Sequence, residues 1–343
     1  MKHTSPSRSR AKRFLSLLAR IATAWLFRDP IRTSVVLLIA GAGLASETVE
    51  AAPQRDSFNG FNVSNATIPT SEILPGGPGR DGIPSIDKPK FVRPSSVNFM
   101  LPDDLVVSVT IGDKTRAYPL RILVWHEIVN DELAGHPIAV TYCPLCGTAM
   151  VLNRRVGSRV LSFGVSGLLY YSDVLMYDRQ TDSLWSQLAM KAVSGPLVNK
   201  KLEWLVSEHL TWAAWKAKYP QGEVLSTQTG AQRNYSVSPY TGYEHNPDTM
   251  FPVPTTRTEL PKKDWVVGVI VNGVTRAYPL KSLPPGQAVR DEINSTALEI
   301  IFQPGSQQVE VRRAENGELL PSVRVYWFAW QAFYPQTGLW QSK

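Results

Sequence analysis

Eighteen residues beginning at Val106, VVSVTIGDKTRAYPLRIL, recur 160 positions later as VVGVIVNGVTRAYPLKSL, with ten identities. The same offset aligns NDELAGHPIAVTYCP with RDEINSTALEIIFQP without a gap. A third block, TWAAWKAKYPQ from Thr211, returns as YWFAWQAFYPQ from Tyr326 at an offset of 115, so the later stretch is 45 residues shorter. Self-similarity at a long fixed period points to one structural unit built twice. The expected layout is an arm over 53–90, a first unit over 91–230 and a trimmed, degenerate second unit over 231–343 packed on the first. The arm is rich in Pro and Gly and reads as neither helix nor central strand.

Local patterns fill in the unit. VTIGDKTRAYPL and VIVNGVTRAYPL read as β-hairpins, because Gly-Asp and Asn-Gly suit the two-residue turns that match strand twist. LRILVWH has apolar residues at helical spacing, and HPIAVTY returns to a strand. LTWAAWKAKYP reads as a short amphipathic helix with Trp212 and Trp215 on one side and Pro220 as its stop. The fold class is therefore α+β: strand-rich, with two related units and a few short helices.

The repeat also sorts scaffold from chemistry. Residues present in both copies, among them the TRAYPL block, Asp131 and Asp291, and the Trp-Ala-x-Trp helix, are read as scaffold. Residues present only in the first copy are functional candidates. Cys143 aligns with Gln303 and His126 with Gly286.

Both cysteines of the chain sit in TYCPLCGTAM. Three chemistries fit them. In a metal knuckle, a strand leads in, both sulfurs face one centre, and Gly permits the positive φ of the return. With two thiols, the remaining ligands must be His, Met, Asp or Glu. His126 is the first choice, with His136, Met150 and Met176 as weaker ones. Two thiolates and an imidazole suit copper or zinc better than magnesium or calcium. In a thiol–disulfide site the first Cys would cap a helix and gain a lowered pKa. The strand-like sequence after Cys146 argues against that architecture. In a non-enzymatic binding module, with the aromatic surfaces of the Trp helices as its interface, the pair would be only structural, and a disulfide would close a very small loop and stabilise little. Tyr142, Tyr171, Met176 and Asp178 are candidates to face a cofactor or substrate. Asp173, Asp178 and Asp182 make either a carboxylate cluster or, as turn chemistry favours, turn and capping residues. No nucleophile-elbow, zincin, P-loop or dinucleotide fingerprint is present.

The formal charge of +7 sits mostly in residues 1–52, which hold eight Lys/Arg and three Asp/Glu. That leaves +2 for the rest, too little for a phosphate-binding stripe, so nucleic acid is not an expected partner. Residues 1–52 have a basic stretch, an apolar run from Ser34 to Ala45, and small residues before Pro53. They read as an export signal or an N-terminal membrane anchor. The run is shorter than the ~20 residues a bilayer span needs. The body is therefore expected in the periplasm or another extracytoplasmic space, where disulfides persist.

LRILVWHEIVNDELAGHPIAVTYCPLCGTAMVL, SGLLYYSDVLMYDRQTDSLWSQ, LTWAAWKAKYP, SPYTGYEHNPDTMFPV and GGPGRDGIPSIDKPKF together resemble a bacterial and archaeal family of unknown function. Its hallmark is Tyr-Cys-Pro-Leu-Cys-Gly preceded by His-Glu-x-x-Asn-Asp. The resemblance spans roughly residues 70–340. It implies an exported or anchored protein and supplies no activity. SQLAMKAVSG and RNYSVSPY depart from the family pattern.

Overall fold

Alternating β-branched residues make Leu105–Ile111 (β1) and Lys114–Pro119 (β2) an antiparallel hairpin, with Ser108 opposite Ala117. Pro119 ends β2 and starts the helix Leu120–His126 (α1), which buries Ile122, Leu123, Val124 and His126. Ile128–Leu133 (β3), His136–Cys143 (β4) and Thr148–Asn153 (β5) follow as an antiparallel meander. Phe163–Tyr170 (β6) and Asp173–Asp178 (β7) form a second hairpin, extended by Leu184–Ser186 and Lys191–Ser194. This computed structural model describes residues 56–254 and 257–342, and the export or anchor segment lies outside them.

The first sheet has the order Glu208–Thr211 (β8), β1, β2, Glu223–Leu225 and Phe91–Val92. Its Glu223–Leu225 strand runs parallel to β2. The order recurs in the later half: Ser322–Tyr326, Trp265–Val271 (β9), Val274–Pro279 (β10) and Gly338–Leu339, the last again parallel. Gly268 sits opposite Ala277, as Ser108 does opposite Ala117. Ala288–Ile293 (β11), Thr296–Gln303 (β12) and Gln308–Arg313 (β13) form a meander like β3–β5. The structure is strand-rich with four short helices among the described residues, which is the α+β class expected.

The residues shared by both halves hold the sheets. Arg116 pairs with Asp131 at 2.8 Å, and Tyr118 donates to the same carboxylate at 2.6 Å. Arg276 and Tyr278 make the matching contacts to Asp291 at 3.2 and 2.9 Å. The helix Trp212–Lys218 is capped by the Thr211 hydroxyl, and Trp215 donates to Ser108 Oγ at 2.8 Å. Its counterpart Trp327–Phe333 lays Trp330 over Gly268, where a β-carbon would come within 2.4 Å of the ring.

Short strands also organise the Pro/Gly-rich region. Ile73–Pro75 pairs with the end of β6, and Ile86 bridges to Val129. Among the described residues no helix is long and apolar enough to cross a membrane. One buried cluster contains Cys143, Cys146, Met150, Met176 and Trp185 from the earlier half with Val266, Trp327 and Trp330 from the later half. The cysteines therefore sit where the two halves meet.

Candidate metal centre

Cys143 is the last residue of β4, and it pairs with Thr148, the first residue of β5. Four residues, Pro144 to Gly147, connect them. The Cys-x-x-Cys motif is thus the loop of a hairpin, with a strand leading in and a strand leading out, as the knuckle geometry requires. Gly147 adopts φ +64°, and a β-carbon there would lie 2.3 Å from Trp265. The loop closes only because this residue has no side chain.

The opposite wall is the turn between β6 and β7. Tyr170 and Asp173 pair across it, leaving Tyr171 (φ +52°) and Ser172 (φ +64°) as a two-residue connection. Both adopt the left-handed conformation that normally selects Asn or Gly. Holding two β-carbon-bearing residues there costs roughly 1–3 kcal/mol each. The turn points the Ser172 carbonyl at both sulfurs, which lie 3.5 Å (Cys143) and 3.3 Å (Cys146) from it. It also brings in Asp173. Cys143 Sγ, Cys146 Sγ and an Asp173 carboxylate oxygen all lie within 4.8 Å of one another.

This group is sealed from solvent. Cys143 and Asp173 are 1 % exposed and Cys146 is 0 % exposed. Asp173 Oδ2 accepts the Leu188 N–H at 3.0 Å, whereas Oδ1 is buried with no partner. Burial raises the Asp173 carboxyl to about 7, partly offset by the backbone amides of Leu188 and Val174 and by the Cys143 thiol. Glu127 lies in the same apolar surroundings, and burial and then the Asp173 charge lift it to about 8. Its carboxylate has no hydrogen-bond partner among the described residues. Glu127 sits at the end of α1 with φ +57°, and its carbonyl accepts the Tyr142 amide at 2.7 Å. Both thiols are free and are raised above the ordinary thiol value, chiefly by burial and further by the nearby Asp173 charge, Cys146 the more strongly.

A strap over 226–264, with one helical turn at Thr241–Glu244 as its only regular structure among the described residues, covers the group. Tyr243 donates to the Leu145 carbonyl at 2.7 Å, and Ser172 Oγ donates to Phe251 O at 3.3 Å.

His126 does not join the sulfurs. Its Nδ1 lies 2.7 Å from the Pro84 carbonyl and its Nε2 2.7 Å from the Tyr235 hydroxyl. A carbonyl only accepts, so Nδ1 carries the proton and Nε2 accepts from Tyr235. Burial lowers the His126 pKa, in keeping with the neutral ring. The imidazole fastens the arm and the strap to α1, and the third donor beside the thiols is Asp173. His136 is exposed at the far end of β4. Met150 and Met176 pack in the same buried cluster as the cysteines.

The cofactor-facing candidates are dispersed. Tyr171 forms the turn and stacks on Tyr170 at 3.9 Å. Asp178 is buried and accepts from the Thr181 amide and hydroxyl and from Trp185 Nε1, which makes it a turn anchor. Tyr142 lines a separate cavity. Sequence patterns favour turn chemistry over a carboxylate cluster for Asp173 and give Glu127 no role beyond its place in the His-Glu-x-x-Asn-Asp hallmark. The repeat carried a signal for Glu127: at the 160 offset it becomes Gln287, an acid replaced by an amide. Asp173 has no such partner, because its segment is missing from the later copy.

The model of a protein family of unknown function, DUF3179, matches residues 80–319. The chain belongs to this family. No curated protein and no solved structure matches it. In this DUF3179 member the candidate centre is a buried dithiol and carboxylate able to hold a metal ion.

Proposed function

We propose that this protein binds one thiophilic divalent metal ion, zinc before copper, through Cys143, Cys146 and Asp173. The carrying observation is the fully buried, unpartnered Asp173 Oδ1 beside two buried thiols. A buried acceptor without a donor is costly in a folded protein, by about 1–3 kcal/mol. Bound zinc would satisfy it. Zinc–ligand bonds of about 2.0–2.3 Å set ligand atoms roughly 3.3–3.8 Å apart, so a group whose atoms all lie within 4.8 Å of one another needs to contract by no more than about 1.5 Å. A carboxylate in place of an imidazole makes the donor set harder, which favours zinc over cuprous ion. Two thiolates and a carboxylate overcompensate the charge of a divalent ion, and a protonated Glu127 keeps the surroundings from adding more. The seal over the donors sets the site apart from catalytic zinc, which keeps an open position; a structural site takes four ligands, so one more donor must join these three on loading.

Elemental analysis of the reduced, purified protein tests this. We expect about one metal ion per chain in wild type and almost none in the Cys143→Ser/Cys146→Ser variant. Equal metal content in the two would refute it.

The second reading is thiol redox chemistry. Its support is a pair of adjacent free thiols, which an external disulfide would oxidise by exchange, the two electrons and two protons leaving on the two thiols released. Burial of both sulfurs weighs against it, since exchange needs access to a sulfur.

We further propose that the later half is a trimmed duplicate of the earlier one, on the strength of the shared strand order, and that residues 1–52 direct export or anchor the chain. Fractionation of cells expressing the full chain, with mass analysis of the mature N-terminus, tests the export reading.

A further inference from the structure

The outer face of the Cys-Pro-Leu-Cys-Gly loop forms the wall of a second cavity. Its volume is about 460 Å³, within the range of small-molecule sites. Tyr142, Pro144 and Gly147 line it from the earlier half, and Trp265, Arg324 and Tyr326 from the later half. Two buried polar atoms there lack partners. Arg324 donates through Nη1 to Gln307 Oε1 at 3.0 Å, but its Nε has no acceptor. His209 Nε2 is likewise unpartnered.

The guanidinium lies 4.3 Å over the Trp265 ring and forms no ion pair among the described residues. Burial lowers Arg324 to about 10, and burial followed by the Arg324 charge lowers His209 to about 4. The floor of the cavity thus holds one cation, a neutral imidazole and two phenols. Neither phenol hydroxyl makes a hydrogen bond among the described residues. At the rim, Asp104 is tied to Arg121 at 2.8 Å, and Glu244 accepts from Ser238 at 2.9 Å. Asp103 is exposed.

We infer that this cavity binds a small organic carboxylate, held by the Arg324 guanidinium and the hydroxyls of Tyr142 and Tyr326. A carboxylate is planar and presents two oxygens to two parallel N–H groups, the match that guanidinium makes best. Trp265 and the phenols offer an apolar wall to its organic body. A phosphate dianion would meet Arg324, an Arg121 already paired with Asp104, and the acidic Asp103 and Glu244, so charge selects the monovalent carboxylate head. The later half then supplies the anion-binding side chains of a shared site. This inference is independent of the metal.

Titration calorimetry and thermal unfolding of the full protein at pH 7, with acetate, succinate, benzoate and inorganic phosphate as probes, test it. At least one carboxylate should bind saturably and raise Tm. A hydrogen bond to a charged group contributes about 1.5–3 kcal/mol, so Arg324→Gln and Arg324→Lys should weaken binding by about tenfold or more. Tyr142→Phe, which removes only a hydroxyl, should weaken it a few-fold and keeps the test open should the Arg324 variants not fold. Arg290→Gln, at an exposed site, should bind as wild type. The inference is overturned if no carboxylate binds at millimolar concentration. It is also overturned if phosphate binds and no carboxylate does, or if the Arg324 and Tyr142 variants bind unchanged.

Discussion

Replacing Asp173 by Asn isolates the electrostatic cost of the metal-free centre. Asparagine keeps the shape and can still accept the Leu188 amide, but it cannot ionise. In the folded chain the Asp173 carboxyl stands at about 7, against 3.8 for the free group. The folded state therefore binds more protons than the unfolded state between these values. Stability contributed by the protonated form is fully present below about pH 4 and is lost as pH rises through about 7. At 1.36 kcal/mol per unit, a shift of about three units amounts to roughly 4 kcal/mol at pH 8, a large share of the stability of a typical domain. The Asn variant should lose none of this. Urea unfolding of both proteins, reduced and freed of metal by chelator, would be followed from pH 4.5 to 8.5. Titrating groups outside the centre cancel in the difference between the two chains. Relative to the fully protonated state, that difference should already be about 1 kcal/mol at pH 4.5 and should grow to about 4 kcal/mol in favour of Asp173→Asn at pH 8.5. Glu127 is raised partly by the Asp173 charge, so it will titrate lower in the variant, and Asp173→Asn/Glu127→Gln should flatten the profile further. Parallel curves for wild type and Asp173→Asn would show that the carboxyl is solvated, and the argument for a sealed centre would fail.

Metal loading should run against the same protonation. Binding at pH 7 must displace the thiol protons and part of the Asp173 proton, so calorimetry in buffers of different ionisation enthalpy should report release of about two to three protons, and affinity should climb with pH. His126→Ala should keep one metal ion per chain while limited proteolysis within 226–264 accelerates, because the Tyr235 anchor is lost; loss of metal instead would restore the imidazole as a ligand. Gly147→Ala should lower stability by about 1–3 kcal/mol or more, since its methyl group meets Trp265 at a left-handed position. Trp265→Ala in that background should recover part of the loss, and thermal unfolding would read both.

The repeated TRAYPL block, the Asp131 and Asp291 anchors and the Trp helices were legible in the sequence. Their patterns are local, and their recurrence later in the chain marks them as scaffold positions. The knuckle hairpin was legible for the same reason: strand, Cys-Pro-Leu-Cys-Gly, strand is a short-range pattern with its own glycine. The ligand set was not. His126 stood out because the later copy lacks it, but absence from a copy marks a residue as particular to one half without saying what it touches. Here that is the arm and the strap.

Asp173 reaches the sulfurs only because Tyr171 and Ser172 hold a tight left-handed turn, and no Asn or Gly announces that turn. Surrounding packing enforces it, through the Phe251 contact of Ser172 and the stacking of Tyr170 and Tyr171. The sequence by itself determined the strands, the hairpins and the pair of thiols, since hydrophobic period and turn chemistry act over a few residues. Only the tertiary structure decided which carboxylate faces the thiols and which arginine lies unpaired in the neighbouring cavity. Those depend on desolvation by segments distant in the chain, which local sequence does not encode.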